Sequence, residues 1–143
     1  MTIYFDMDGT IADLYGVENW LADLLAENTR PYEIARPLVS CDRLRAAIEN
    51  RKHENYKFGV ISWTSRNGSP QYNRRVRKAK IAWLNKYFPD CFEEIHVVKH
   101  GTPKYKVAKD KAGWLFDDEE QNRNTWKLGA SFSEKEIFTQ LEW

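Results

Sequence analysis

The chain has little of what marks a secreted, membrane-bound or metal-stapled protein. Its two cysteines, Cys41 and Cys91, form no Cys-x-x-Cys pair and stand beside no histidine cluster. That argues against zinc and predicts free thiols in a reducing compartment. The first residues, MTIYFDMDGT, lack the basic start and apolar run of a leader peptide. No stretch approaches the roughly 20 apolar residues of a membrane helix. Neither sign of charge dominates, with 22 Lys and Arg against 21 Asp and Glu for a net charge of +1. The balance gives no whole-chain argument for a nucleic-acid or membrane partner. Repeats and low-complexity segments are absent as well. Together these absences predict a cytoplasmic protein with no membrane partner.

What is present suits one compact domain over residues 1–143, 42% hydrophobic and 30% charged, long enough to bury its own core. Six Trp and seven Tyr serve either that core or flat contacts to a ring-bearing ligand, with core the default.

Hydrophobic patterning predicts a first buried strand over 2–7, closed by the turn Asp8-Gly9-Thr10. Val17, Trp20, Leu21, Leu24 and Leu25 recur at helical spacing. Their apolar face is expected to pack on the core. Residues 29–39, with two prolines, read as a loop or a short turn of helix. Ser40 is the expected N-cap of a helix that carries Leu44, Ala47 and Ile48 on one face. Further strands are predicted at 58–64, 95–99 and 113–117, with a long helix over 70–88. Thr102-Pro103 suits a helix start. A helix reaching Leu128, a short edge strand at 130–132 and a last helix opened by a Ser133/Glu136 capping box complete the pattern. Strands alternate with helices throughout. That order predicts an α/β fold, a doubly wound parallel sheet with helices on both faces. Ligands in such sheets bind beyond the carboxyl ends of the strands.

Polar clusters fall at those ends. Asp6 and Asp8 close the first strand, Thr64 the second, and Asp117 and Asp118 the fourth. A parallel sheet gathers them on one edge. Four carboxylates gathered there repel one another and resist burial unless a cation compensates. A hard divalent ion with oxygen ligands meets that need, and Mg2+ fits best where phosphate is the substrate. Gly9 suits a backbone that bends sharply or approaches a ligand closely. Basic residues at 74, 75, 77, 78 and 80 read as a solvated helix face or as steering charge for phosphate. Trp20, Trp63 and Tyr72 read as core or as stacking platforms.

Asp6-Met7-Asp8-Gly9-Thr10 resembles the DxDGT motif of the haloacid dehalogenase (HAD) superfamily. Thr64 resembles its second motif, Lys104 or Lys106 its third, and Asp117-Asp118 its fourth, so the resemblance spans nearly the whole chain. It implies a HAD-like domain in which residues 14–54 form a minimal helical cap or insert. It also implies a phosphatase. Asp6 would attack phosphorus. Asp8 would protonate the leaving alcohol and then activate water. Thr64 would hold a phosphoryl oxygen, and the third-motif lysine would neutralise charge. Spacing to Asp117 favours Lys106, with Lys104 close behind. Magnesium would be held by Asp6, the Asp8 carbonyl and the acidic pair, Asp118 directly and Asp117 in support. Gly9, Thr10, Ser65 and Arg66 are the expected substrate contacts.

Two subfamilies share finer features. Trp63-Thr64-Ser65 and Lys80-Ile81-Ala82-Trp83-Leu84 resemble the 5'(3')-deoxyribonucleotidases. Arg66 and the basic helix after it resemble the 3'-phosphatase domain of phage polynucleotide kinase. The substrate implied is a small phosphate ester, a nucleotide, with a nucleic-acid end as the alternative. A catalytically silent HAD-fold binding or regulatory protein is the rival from another class.

Overall fold

The computed structural model describes residues 1–142. Five strands form one all-parallel sheet in the order β3-β2-β1-β4-β5. They are β1 (Thr2–Phe5), β2 (Lys57–Trp63), β3 (Glu94–Val98), β4 (Trp114–Phe116) and β5 (Ser131–Phe132). The helices are α1 (Trp20–Leu25), α2 (Arg30–Ile34), α3 (Cys41–Lys52), α4 (Pro70–Tyr87), α5 (Lys104–Val107), α6 (Glu120–Thr125) and α7 (Ile137–Leu141). A 3-10 turn at Glu134–Glu136 precedes α7. Among the described residues, no helix is long and apolar enough to cross a membrane.

The period-two alternation of a strand sends successive side chains to opposite faces, and here both faces are covered. Ile3, Phe5, Val60 and Phe116 pack with Leu44, Ala47 and Ile48 of α3, Trp83 and Leu84 of α4, and Ile137 and Leu141 of α7. Tyr4, Ile61 and Leu115 point the other way, against Ala108, Trp126 and the partly buried Tyr105 and Val107. The fold is therefore a doubly wound α/β sheet. Each fully buried Ile, Leu or Phe in these layers contributes about 1.5–3 kcal/mol.

Local signals act as their chemistry requires. The Ser40 side chain accepts a hydrogen bond from Arg43 N at the start of α3. Ser69 does the same for Tyr72 N at the start of α4, whose second signal is Pro70. The Ser133/Glu136 capping box forms, opening a 3-10 turn before α7.

Three expectations change. The first strand stops at Phe5 instead of running to Met7, because the Met7 carbonyl accepts from Thr10 N, Ile11 N and Ala12 N, which closes a tight turn. Within 14–54, α3 belongs to the main core, so only the segment before it stands outside the sandwich. Finally, α1 packs only in part as its periodicity suggested, Trp20 and Leu24 lying partly buried against the cluster of Leu14, Tyr32 and Tyr72. It has no buried residue, and Leu21 and Leu25 are exposed, Leu25 by 77%.

The segment that carries α1 and α2 is tied down elsewhere. Ala12 bridges Pro37 in antiparallel fashion, and Asp13 N donates to Arg36 O. Tyr32 of α2 packs with Leu14, Tyr72, Val76 and Ala79. Trp83 Nε1 donates to Ala35 O at 2.8 Å. Glu27 accepts from both Ser69 N and Ser69 Oγ at 2.7 Å.

Candidate active site

Strand order reverses at the centre of the sheet. From β1 the chain winds outward through β2 to β3, then crosses to β4 and β5 on the other side. Loops leaving β1 and β4 therefore diverge, which opens a crevice beyond their carboxyl ends. Register brings the chemistry to it. Phe5 pairs with Phe116, so Asp6 and Asp117 both step off the ladder at the same level. Asp6 N still donates to Phe116 O at 2.9 Å, and Thr64 N to Val98 O at 2.7 Å.

Asp6 is held at both carboxylate oxygens. Lys104 Nζ donates to Oδ1 at 2.7 Å, and Thr10 Oγ1 lies 3.1 Å from Oδ2. The same hydroxyl lies 3.2 Å from Asp118 Oδ1 and accepts from Asp118 N at 3.1 Å. Thr10 thus stitches the loop after β1 to the loop after β4. Gly9 makes that approach feasible. Its φ is +85°, and a Cβ there would stand 2.3 Å from Asp118 Oδ2, so both the conformation and the space call for glycine.

Lys104 is the lysine of this cluster. Its Nζ also donates to Asp117 Oδ2 at 2.7 Å. Lys106, favoured on spacing, is exposed. The reason is local: α5 spans only four residues after Pro103, and its inward position falls at 104. Burial pulls the Lys104 ammonium down, but Asp6 and Asp117 outweigh it and hold its pKa above the usual lysine range.

Asp117 is wholly buried and saturated with donors. Beyond Lys104, it accepts from Asn122 Nδ2 at 3.1 Å and Glu119 N at 3.0 Å. Burial, then Asp6, push its carboxyl up to about 6. Asp118 is half-buried, and burial and Asp6 push it up to about 8. Asp6, Asp117 and Asp118 each offer an oxygen within 4.8 Å of the others, a spacing that one hard cation with oxygen ligands can share.

Asp8 lies outside that trio. Its side chain turns to Lys80, whose Nζ donates to Asp8 Oδ2 at 2.7 Å, Ser62 Oγ at 2.8 Å and Trp63 O at 2.7 Å. Burial pushes the Asp8 carboxyl up, and Lys80 pulls it back. Lys80 was grouped by sequence with the basic face of α4, but only Arg74, Arg75, Arg77 and Lys78 are exposed there. A signal was present: Lys80 sits four residues after Val76 and three before Trp83, on the buried stripe of the helix.

A cavity of about 400 Å³ opens over these groups. Asp6, Asp8, Thr64, Ser65 and Lys104 line its floor, and Tyr15, Trp20, Leu21, Leu24 and Leu25 one wall. Trp63, Arg66 and His100 also line it. The Thr64 hydroxyl forms no hydrogen bond among the described residues, whereas Asn73 staples the loop beyond it through Ser65 N and Ser65 O. Trp20 and Trp63 therefore meet the cavity. Tyr72 is fully buried in the core.

Comparison with known proteins finds no matching family model and no matching curated protein.

Proposed function

We propose that the chain is a magnesium-dependent phosphomonoester hydrolase that acts through a transient aspartyl-phosphate, an acyl phosphate on Asp6, with a nucleotide as substrate. The observation that carries this reading is the Asp6 carboxylate, fixed by Lys104 and Thr10 at the floor of a cavity that it shares with Asp8. A nucleophile held at both oxygens needs no reorientation before attack.

The residues fit a magnesium ion. Asp6 and Asp118 would hold it together with the Asp8 carbonyl, and Asp117, engaged with Lys104 and Asn122, would brace the pair. When bound, the ion would neutralise carboxylate charge and stabilise charge on the phosphoryl oxygens. The chain's own groups do the rest. Asp6 attacks phosphorus. Asp8 gives a proton to the leaving oxygen and takes one from water in the second step. Thr64 donates to a phosphoryl oxygen, and Lys104 balances charge beside Asp6. The apolar wall of α1 and the Trp63 ring favour a leaving group with a flat ring. The free thiols of Cys41 and Cys91 suit a cytoplasmic setting.

The deciding experiment is phosphate release, with and without magnesium, from 5'- and 3'-mononucleotides, sugar phosphates and a 3'-phosphorylated oligonucleotide. Magnesium-dependent release that Asp6→Asn abolishes supports the reading. No release from any of them favours a binding or regulatory role for the same fold.

One feature favours a polynucleotide 3'-end phosphatase as a second reading. Two adjoining clefts, of about 330 and 430 Å³, lead from Thr64 and Ser65 past Arg66, Lys99, Arg74 and Arg77. No carboxylate lines either cleft among the described residues. An oligonucleotide running there would lose affinity steeply with added salt, and a mononucleotide would not.

A further inference from the structure

We propose that Lys80 is the positioning residue for Asp8, anchoring one carboxylate oxygen so that the other, Oδ1, is the one that exchanges protons. The proposal rests on the phosphatase reading and assigns a residue that the four sequence motifs leave out.

Lys80 is 1% exposed. A buried ammonium is costly unless its charge is balanced and its hydrogens are used. Here all three N–H bonds are spent, on Asp8 Oδ2, Ser62 Oγ and Trp63 O. The Tyr32 ring centroid lies 5.0 Å from Nζ. Two of the three acceptors belong to the end of β2 and the third to the loop after β1, so Lys80 joins adjacent strand ends from beneath. The stem rises from the middle of α4, an 18-residue helix, which makes it a rigid post. Ser62 is equally buried and gives the ammonium a second side-chain acceptor beside Asp8.

Asp8 is left half-committed. Oδ2 is held, and Oδ1 accepts no hydrogen bond among the described residues, although the side chain is 19% exposed and lines the cavity. A group that serves two steps needs its reacting oxygen in one place for both. In the first step, Asp6 bonds to phosphorus as the bond from phosphorus to the leaving oxygen breaks, and Asp8 Oδ1 passes its proton to that oxygen. In the second, Oδ1 takes a proton from the water whose oxygen bonds to phosphorus, and the electron pair of the Asp6–phosphorus bond returns to Asp6. Lys104 serves the nucleophile, and Lys80 serves the proton carrier.

The test uses the leaving group. A p-nitrophenolate departs without a proton, whereas an alkoxide needs one. kcat/KM reports the first step only. With magnesium present, Lys80→Met should lower kcat/KM for a simple alkyl phosphate by about 10²-fold, and that for p-nitrophenyl phosphate by only about threefold, in line with the usual worth of general acid catalysis. Ser62→Ala, which loosens the post but keeps its charge, should show the same selective loss on a smaller scale. It carries the test alone if Lys80→Met does not melt cooperatively. Equal losses on both esters would mean that Lys80 only supports the fold and would overturn the assignment while the phosphatase reading stands. Absence of magnesium-dependent release by the unaltered protein would overturn both together.

Discussion

Lys104 Nζ lies 2.7 Å from Asp117 Oδ2 and 2.7 Å from Asp6 Oδ1, so a single buried ammonium links the loop after β1 to the loop after β4. Removing it leaves two carboxylates uncompensated. Lys104→Met should destabilise the protein by about 3–5 kcal/mol, the usual cost of breaking a buried ion pair, and should abolish phosphate release. Lys106→Ala should alter neither. Thermal melts and turnover of the two variants check this, and similar behaviour of both would refute the assignment.

Asp6→Asn should keep the fold and lose turnover by at least about 10⁴-fold, as expected when a nucleophile is removed. The measurement is phosphate release together with incorporation of labelled phosphate into protein. Labelled Asp6→Asn would mean that another residue is the nucleophile.

Asp118 gives a pH signature. With no divalent ion bound, burial and the neighbouring Asp6 push its carboxyl up to about 8. The folded protein then keeps a proton that the unfolded chain gives up above about pH 4. Stability therefore falls as pH rises from there through about 8. Magnesium competes with that proton, so it should raise the melting temperature more at pH 8 than at pH 5. An equal rise at both values would remove Asp118 from the ion's ligands.

Gly9→Ala tests the contact between the two loops. The positive φ alone costs a side chain about 1–2 kcal/mol, and the new Cβ meets Asp118 Oδ2 at 2.3 Å. The expected outcome is a lower melting temperature and a much weaker response to magnesium. Normal magnesium titration in a stable Gly9→Ala protein would contradict the geometry.

The cavity-lining wall of α1 predicts a specificity effect. Trp20→Ala and Leu24→Ala should raise KM for a mononucleotide severalfold and leave kcat within about twofold, the pattern of lost uniform binding. Equal KM values for variant and parent on every ester would mean that α1 does not touch substrate.

Much of this arrangement was legible in the sequence. Asp6, Thr64 and Asp117 follow apolar runs, and a parallel sheet has only one edge at which such ends can meet. The choice between Lys104 and Lys106 was not legible, because spacing along the chain does not reveal which way a four-residue helix faces. The charge-rich context of Lys80 hid its place on the buried stripe of α4. For α1, an apolar stripe looks the same whether it is wholly buried or, as here, divided between a core cluster and a cavity, and only the tertiary path of residues 13–36 separates the two. Cap serines and the Ser133/Glu136 box were readable because their bonds span three residues and depend on nothing distant.

That path has an evolutionary consequence. Asp13 N bonds Arg36 O, Leu38 N bonds Ile11 O, and Ala12 bridges Pro37, so the segment departs from the sheet and returns to it through one doorway. None of Asp6, Asp8, Lys80, Lys104 or the acidic pair lies inside it. Changes confined to α1 would retune what enters the cavity at little cost to the rest, whereas α2 is bound to the chemistry, because Tyr32 packs on α4 and its ring lies 5.0 Å from Lys80 Nζ.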